Sequence, residues 1–287
     1  MCMNKRTKRT LLWVAVAAIT AGLCGWLWWG NVTPQLTTYE VASTRLPASF
    51  EGYRIVQLSD LHNAELGADN ERVMALLRQA DPDLIVVTGD AIDARRAGSD
   101  HALSLLTRAA QLAPCYFVAG NHEQRREDYP AFAAELTAAG VTVLTEEKVT
   151  LTRGGESITL MGVSDPTFSP DCYTVEEADI LAAWLDPLTE EGDGFTVLLS
   201  HRPEYVETYA DSGADLVFSG HAHGGQVCLP WLGGLFAPNQ GFFPTYDSGL
   251  YEQDGSAMVV SRGIGNSLIP LRVNNRPEVV LVTLKGE

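Results

Sequence analysis

Two histidines stand two positions apart in the stretch Ser219-Gly220-His221-Ala222-His223-Gly224-Gly225. In an extended segment, residues i and i+2 point to the same side, so both imidazoles would reach toward one metal ion. The flanking glycines have no Cβ and let the main chain pass close to a bound group. Because an isolated pair of histidines is more often packed or surface-exposed, a metal site requires further ligands from elsewhere in the chain.

Short apolar runs that are typical of buried strands precede several clusters of polar residues. The runs are 54–59, 84–88, 115–119, 195–200 and 215–219. The clusters that end them are Ser59-Asp60-Leu61-His62, Gly89-Asp90-Ala91-Ile92-Asp93, Gly120-Asn121-His122-Glu123, Ser200-His201 and Gly220-His221-Ala222-His223. The carboxyl ends of parallel strands share one edge of a sheet, where ligands bind in α/β folds. Since these clusters hold all the histidines except His101, the pattern predicts one site rather than scattered structural histidines.

The ligand types in these clusters indicate a metal centre of mixed nitrogen and oxygen donors. They comprise two carboxylates, one amide and four imidazoles: Asp60, Asp90, Asn121, His62, His201, His221 and His223. Such donors suit borderline divalent ions such as Mn, Fe, Zn or Co, and the absence of cysteine argues against a structural zinc site. Seven ligands are too many for one ion. With one bridging carboxylate they suit two ions, an arrangement that serves phosphate ester hydrolysis.

Strand and helix patterns alternate around these clusters, which predicts an α/β fold with a largely parallel core. Helical periodicity covers about 69–80, 100–112, 129–139 and 175–185. The stretch 141–163 has a hairpin pattern, the segments 257–262 and 278–284 add strands, and residues 38–41 are a candidate edge strand. We therefore expect one domain with two mixed sheets and helices outside them.

An uncharged apolar stretch over residues 11–29 has the length of a membrane-spanning helix. A cleaved secretory signal is the alternative, but no small-x-small cleavage motif follows the stretch. Four cations precede it at Lys5, Arg6, Lys8 and Arg9, which by the positive-inside rule places the N-terminus in the cytoplasm and the bulk of the chain outside the cell membrane. The expected order is a basic cytoplasmic tail (1–10), a single-pass anchor (11–29), a linker and lead-in (30–50) and a catalytic domain (51–287).

The charge balance excludes nucleic acid as an expected partner. The chain has a formal net charge of −16, with 36 acidic residues against 20 basic ones, four of which lie in the tail. A surface that acidic repels a polyanion, whose binding requires neutralised phosphates.

The polar clusters, in their order along the chain, resemble the calcineurin-like metallophosphoesterase superfamily. The resemblance rests on Asp60-x-His62, Gly89-Asp90-x-x-Asp93, Gly120-Asn121-His122-Glu123, His201 and Gly220-His221-x-His223, and it covers residues 54–223. Later motifs resemble the membrane-anchored bacterial branch of this superfamily: Gly224-Gly225-Gln226, Ser261-Arg262-Gly263-Ile264-Gly265, Pro270-Leu271-Arg272 and Pro277-Glu278. The resemblance implies a four-layer α/β/β/α sandwich with two mixed sheets, here preceded by one transmembrane helix.

The resemblance also implies a role for each cluster. One ion would be held by Asp60, His62, Asp90 and His223, and the other by Asp90, Asn121, His201 and His221. Asp90 would bridge the two ions. His122 would donate a proton to the leaving oxygen or stabilise the transition state, and Asp93 would orient it.

The implied reaction is hydrolysis of a phosphodiester or pyrophosphate bond by a metal-bound hydroxide. Because of the anchor, we expect a lipid-linked substrate such as a lipid A precursor or an envelope glycolipid, with the aromatic segment 224–256 near its acyl chains. Arg125 and Arg126 are candidate phosphate contacts. The alternative is a phosphatase or nucleotidase for soluble phosphoesters. A metal-binding scaffold without activity is disfavoured because both His122 and Asp93 are present; the native metals and the oligomeric state stay open.

Overall fold

A computed structural model describes residues 4–189, 194–267 and 269–287. Its α-helices are α1 Lys5–Val32, α2 Glu71–Ala80, α3 Asp100–Ala110, α4 Asn121–Gln124, α5 Tyr129–Ala138, α6 Glu177–Leu185 and α7 Val206–Asp211. The first eight strands are β1 Gln35–Ser43, β2 Arg54–Leu58, β3 Leu84–Thr88, β4 Cys115–Val118, β5 Val141–Val143, β6 Glu147–Arg153, β7 Glu156–Gly162 and β8 Thr196–Leu199. The others are β9 Leu216–Ser219, β10 Cys228–Leu229, β11 Gly233–Gly234, β12 Phe236–Ala237, β13 Gly241–Phe242, β14 Gly249–Gln253, β15 Ser256–Val260 and β16 Glu278–Gly286.

The N-terminal helix α1 is the one helix of the described residues that is long and apolar enough to cross a membrane. It spans 28 residues, begins after the N-cap Asn4, and buries none of its residues against the rest of the chain. A signal sequence would meet the same criteria of length and composition, so the helix alone does not separate an anchor from a leader. Residues 30–50, predicted as linker and lead-in, contain the last turn of α1 and the whole of β1.

The first six-stranded sheet has the order β1-β16-β2-β3-β4-β5. All its neighbours are parallel except β16 and β2, which are antiparallel. The last strand of the chain therefore lies between the first strand and the strand that leads to Asp60. This sheet includes β5, which pairs with β4 in parallel and is not part of the predicted 141–163 hairpin.

The second six-stranded sheet has the order β14-β15-β9-β8-β7-β6. Its four central strands are parallel, and antiparallel hairpins form both edges: β6 with β7, and β14 with β15. The first of these hairpins is the part of the 141–163 pattern that the sequence placed correctly, with its turn at Gly154 and Gly155.

Three separate hydrophobic clusters give the layer order. One lies between the first sheet and helices α2, α3 and α5, with Val73, Leu105 and Leu136 among its residues. The second lies between the two sheets, where Ile55 and Val86 meet Val197 and Phe218 in one cluster. The third lies between the second sheet and helices α6 and α7. Helix, sheet, sheet, helix is the expected four-layer α/β/β/α sandwich with two mixed sheets.

Candidate metal centre

The predicted ligands come from both sheets. The ends of β2, β3 and β4 bring Asp60, His62, Asp90 and Asn121 from the first sheet, and the ends of β8 and β9 bring His201, His221 and His223 from the second. All seven residues are buried, with at most 5% of their surface exposed. Because carboxylates and imidazoles are rarely buried unless they are paired or bind a cation, their concentration at one edge requires a chemical explanation.

The backbone at these strand ends is unusual. Five of the seven candidate ligands, none of them a glycine, have a positive φ between 47° and 64°: Asp60, His62, Asp90, His221 and His223. Such left-handed conformations are uncommon outside glycine and cluster at functional sites. The expectation that 219–225 is extended is therefore wrong, because the chain turns sharply at both His221 and His223, with a 3₁₀ turn at His223–Gly225.

The first ligand cluster consists of Asp60, His62 and His223, whose candidate ligand atoms lie within 4.8 Å of one another. His62 Nε2 lies 3.1 Å from His223 Nε2, and His223 Nε2 lies 3.4 Å from Asp60 Oδ1. These atoms converge on one point between the end of β2 and the loop after β9.

The second ligand cluster consists of Asp90, His201 and His221, again with ligand atoms within 4.8 Å of one another. His201 Nε2 lies 3.1 Å from His221 Nδ1 and 3.3 Å from Asp90 Oδ2. The side-chain oxygen of Asn121 is buried and has no hydrogen-bond partner among the described residues. The two histidines of Gly220-His221-Ala222-His223 thus belong to different clusters.

Asp90 connects the two clusters through a single oxygen. Its Oδ2 lies 3.3 Å from His201 Nε2 and 3.8 Å from His62 Nε2, one nitrogen from each cluster. Its other oxygen, Oδ1, accepts the backbone N–H of His122 at 2.8 Å. Asp90 Oδ2 therefore lies between the two clusters, at the position where the resemblance implies a bridging carboxylate.

The arrangement of donors fits divalent cations. Within the described chain, His62 Nδ1, His221 Nε2 and Asn121 Oδ1 are buried without a hydrogen-bond partner. In each cluster two imidazole nitrogens face each other at 3.1 Å, so each pair can either share one proton or hold one cation between its nitrogens. Nitrogen and oxygen donors of this kind suit Mn, Fe, Zn or Co.

Burial and charge also prepare these groups as ligands. Burial lowers the pKa of His62 and the pKa of His221 to about 3 each, which keeps both rings neutral. Burial alone would also lower the pKa of His201, but the Asp90 carboxylate outweighs it and raises that pKa to about 10. Burial raises the pKa of Asp60 to about 6. A divalent cation would displace the proton of His201 and replace its pairing with Asp90.

Two glycines let the strand ends approach each other. A Cβ at position 220 would lie 1.9 Å from Ser59 Oγ and 2.4 Å from Asp60 Oδ2. A Cβ at position 120 would lie 2.4 Å from Asp90 Oδ1. Since real Cβ atoms do not come that close to other atoms, Gly220 is required for the end of β9 in the second sheet to approach the end of β2 in the first. Gly120 is required for the neighbouring ends of β3 and β4 to lie together.

The chain is similar to known proteins along most of its length. A family model described as calcineurin-like phosphoesterase matches residues 53–225. The chain belongs to the calcineurin-like phosphoesterase family. It is 30% identical to the uncharacterized metallophosphoesterase YkuE of Bacillus subtilis, over 99% of each protein. It is 26% identical to the UDP-2,3-diacylglucosamine pyrophosphatase LpxG of Chlamydia muridarum, over 87% of this chain and 90% of LpxG.

A solved structure has the same fold. The crystal structure of TT1561 from Thermus thermophilus matches with a TM-score of 0.51 at 17% sequence identity, over 74% of this chain and 90% of that one. At this identity the match supports the fold alone.

His122, the predicted proton donor or transition-state stabiliser, lies beside the candidate ligands. Its Nδ1 accepts the backbone N–H of Ala94 at 3.0 Å and lies 3.4 Å from Asp93 Oδ1. An Nδ1 that accepts a hydrogen bond carries no proton, so the ring proton of neutral His122 is on Nε2, which lies 4.0 Å from Asp90 Oδ2. Asp93 is held mainly by Arg95, whose backbone N–H donates to Asp93 Oδ1 at 2.8 Å. The orientation of His122 is thus fixed by Ala94 at least as much as by Asp93.

A cavity of about 240 Å³ is lined by His122 and by four of the candidate ligands, which are Asp90, Asn121, His221 and His223. Its other walls are Arg95, Arg125, Arg202, Pro238, Asn239 and Ser267. Of the two predicted phosphate contacts, Arg125 lines this cavity. Arg126 does not, because its guanidinium is bound to Asp128 and to the carbonyls of Asp93 and Arg96.

Two residues of the phosphoesterase site were not singled out from the sequence. The buried Glu123 carboxylate accepts the backbone N–H groups of Asp90, Ile92 and Gly120 at 2.8 to 3.0 Å, and so ties the loops after β3 and β4 together. Arg202 is buried beside the cavity, paired with Asp165 at 2.6 Å. The signal for both was position, since Glu123 directly follows His122 and Arg202 directly follows His201.

We predict that His221 and His223 serve different ions. In purified protein loaded with Mn²⁺, His221→Ala and His223→Ala should each remove about one of two binding events, and the double variant should remove both. Calorimetric titration with Mn²⁺ and elemental analysis measure this, with His101→Ala as the control. If both histidines held the same ion, the double variant would keep one binding event; equal loss of both ions from each single variant would also contradict the prediction.

Proposed function

We propose that this phosphoesterase hydrolyses phosphodiester or pyrophosphate bonds at a centre of two divalent metal ions. The observation that carries the proposal is the pair of ligand clusters joined through Asp90 Oδ2 at the floor of an open cavity. Two bound ions would supply a nucleophile at neutral pH and neutralise charge on the phosphoryl oxygens. Asp60, His62, Asp90 and His223 would hold one ion, and Asp90, Asn121, His201 and His221 the other.

The protein's own groups complete the site around the phosphoryl group. With its proton on Nε2, neutral His122 can donate a hydrogen bond from that nitrogen. Nε2 lies 4.0 Å from Asp90 Oδ2, and so on the side of the cavity where the Asp90 carboxylate is. This geometry favours stabilisation of charge on a phosphoryl or leaving oxygen, the second of the two predicted roles. Arg125 adds a positive charge to the cavity wall. Burial of the metal ligands excludes water from all but the open face.

We further propose a lipid-linked substrate. Pro238 and Asn239, at the tip of the β12–β13 hairpin, form part of the cavity wall. Large apolar side chains in the same segment of the chain are exposed. These side chains are Trp231, Leu232, Phe236, Phe242 and Phe243. An exposed apolar patch of this kind favours contact with a membrane or with acyl chains. The similarity to LpxG, a pyrophosphatase named for a diacylated substrate, supports the same class.

The proposed location is the cell membrane, with α1 as a single-pass anchor. Its four cations lie at its first turns, and the positive-inside rule then places the catalytic domain outside the cytoplasm. The interface tryptophans at the other end of α1 would lie at the outer surface, where the catalytic domain begins.

The substrate class can be tested with full-length protein in lipid nanodiscs. We expect kcat/KM for UDP-2,3-diacylglucosamine to exceed that for soluble substrates by at least about tenfold. A factor of ten corresponds to about 1.4 kcal/mol of transition-state stabilisation, which we assign to burial of the acyl chains. The soluble panel is bis(p-nitrophenyl) phosphate, p-nitrophenyl phosphate and a nucleotide pyrophosphate. A preference for any soluble compound would instead support the alternative, a phosphatase or nucleotidase of soluble phosphoesters.

A matched variant separates the hairpin from the metal chemistry. Phe242 is 72% exposed, so Phe242→Ser should leave the fold intact. It should lower the lipid rate and leave hydrolysis of bis(p-nitrophenyl) phosphate unchanged. Equal rates of the variant and the wild-type protein on the lipid substrate would exclude a role for this ring.

A further inference from the structure

A second cavity, of about 280 Å³, lies where α1 meets the catalytic domain. The residues of its wall that matter here are Trp26, Trp29, Arg262, Arg272, Asn275 and Arg276. At about 30 Å³ for each water of the liquid, the cavity has room for a phosphate group with several waters. We call it the junction pocket. None of the predicted metal ligands lines it.

The junction pocket has a fixed shape because the end of α1 is fastened to the domain. The side chain of Asn31 donates to the carbonyl of Arg272 and accepts its backbone N–H, both at 2.8 Å. Arg276 donates to the carbonyls of Thr33 and Pro34 and stacks over the ring of Trp29, 4.6 Å from the centroid. The last turns of α1 are therefore a wall of the pocket and not a loose tether.

The pocket is positively charged in an otherwise acidic protein. Three arginines line it, and two carboxylates lie near them: Asp60 and Glu278 both act on Arg272, and Arg262 Nε lies 3.6 Å from Glu278 Oε1. Arg272 is 2% exposed, and its Nη1 has no hydrogen-bond partner among the described residues. A buried guanidinium N–H without an acceptor is costly, so the pocket favours an anion with several acceptor oxygens. The whole chain has 36 acidic against 20 basic residues, and this excess of negative charge would repel such an anion from the rest of the surface.

The position of the pocket matches the level of lipid headgroups. Trp26 and Trp29 are 42% and 44% exposed at the domain end of α1. Tryptophan rings prefer the membrane interface, and basic residues at that level attract anionic lipid headgroups. This step rests on the proposed anchoring by α1.

We propose that the junction pocket binds the phosphate of an anionic membrane lipid headgroup, held by Arg262, Arg272 and Arg276. The bound lipid would fix the distance between the catalytic domain and the surface of the bilayer. Arg272 also places Nη2 3.4 Å from Nδ1 of His223, so the pocket and the first ligand cluster have a common wall.

The test is a titration of delipidated full-length protein in non-ionic detergent with dioctanoyl phosphatidylglycerol, followed by native mass spectrometry. We expect one tightly bound lipid on the wild-type protein. Each arginine near a headgroup contributes about fivefold in affinity, so R262Q/R276Q should weaken binding about 25-fold. The matched control R54Q/R78Q removes the same charge from surface ion pairs and should bind as the wild-type protein does. Equal affinity of R262Q/R276Q and the wild-type protein would overturn the proposal.

Further titrations with other ligands identify the source of the bound phosphate, and further variants separate loss of binding from misfolding. Inorganic phosphate that binds as tightly as the lipid, or zwitterionic phosphatidylcholine that does so, would overturn the anionic-headgroup assignment. R262K/R276K should restore most of the affinity.

If thermal melting shows that R262Q/R276Q is unfolded, Arg262→Gln alone decides the question, because Arg262 makes no bond to α1 in the described structure. Turnover of bis(p-nitrophenyl) phosphate and of UDP-2,3-diacylglucosamine by the same wild-type sample is measured separately. A protein that hydrolyses neither and still binds the lipid would refute the proposed function and leave this inference standing.

Discussion

Replacement of Asp90 by asparagine should abolish metal-dependent hydrolysis. The variant removes one negative charge between the two ligand clusters and replaces one carboxylate oxygen by an amide N–H₂, which cannot ligate a cation. The oxygen Oδ2 lies 3.3 Å and 3.8 Å from nitrogens of the two clusters, so both ions would lose a ligand at once. We expect kcat/KM for bis(p-nitrophenyl) phosphate to fall by at least about 10³-fold, as for loss of a major transition-state contact.

The Asp90→Asn result must be separated from unfolding. The backbone N–H of Asp90 is held by Glu123 at 2.8 Å, and this bond does not involve the substituted side chain. Circular dichroism should therefore match that of the wild-type protein, while elemental analysis shows less bound metal. Asp211→Asn, at an exposed position in the last turn of α7, is the charge-matched control and should retain full activity. Unchanged turnover by Asp90→Asn, in a preparation free of other phosphatases, would remove the basis of the two-ion assignment.

The sequence predicts this fold well where burial alone sets the pattern. Strand β3 is buried at all five positions, and a continuous apolar run of that length followed by Gly89-Asp90 is typical of a strand inside a two-sided sheet. Helix α2 buries Val73, Leu77 and Ala80, which the helical period places on one face, and it buries Met74 beside them. The identity of the candidate ligands follows from the same pattern, since polar residues at the ends of such strands lie together at one edge.

The remainder depends on contacts between distant parts of the chain. The strand order places β16 between β1 and β2, although β2 lies more than 200 residues before it in the sequence. The short β5 joins the first sheet by pairing with β4, and nothing in a local hairpin pattern distinguishes that from pairing with β6. The contact between Asn31 and Arg272 spans 241 positions. Local propensity carries no information about such partners, because tertiary packing selects them.

The backbone at the ligands is the other feature that local patterns miss. Aspartate and histidine at φ near 50° are tolerated only where the surrounding structure determines the conformation, so an extended His-x-His is the default expectation. The glycines at 120 and 220 were visible in the sequence. The reason for glycine at both positions is a three-dimensional contact, because a carboxylate oxygen that follows another strand lies 2.4 Å from where a Cβ would be.

Substitution of His122 by glutamine should lower kcat strongly while both ions stay bound. His122 is 5% exposed, lies in the cavity wall and belongs to neither of the two proposed ligand sets. Loss of a positioned proton donor or hydrogen-bond donor costs about 10² to 10⁴-fold in rate. Steady-state kinetics with bis(p-nitrophenyl) phosphate and elemental analysis of the same sample measure the two quantities. His101→Gln, in the first turn of α3, is the control and should leave both unchanged.

The two predicted roles of His122 differ in their dependence on the leaving group. A proton donor to the leaving oxygen matters most for poor leaving groups, so the loss of kcat in His122→Gln would grow from p-nitrophenyl to alkyl esters. A donor of a hydrogen bond to a phosphoryl oxygen acts equally for all esters. Because the Ala94 N–H occupies Nδ1 and keeps the ring proton on Nε2, we expect a uniform loss across a series of aryl and alkyl phosphodiesters. A loss that increases steeply with leaving-group pKa would instead assign His122 as the acid, and a loss of bound metal would make it a ligand of the centre.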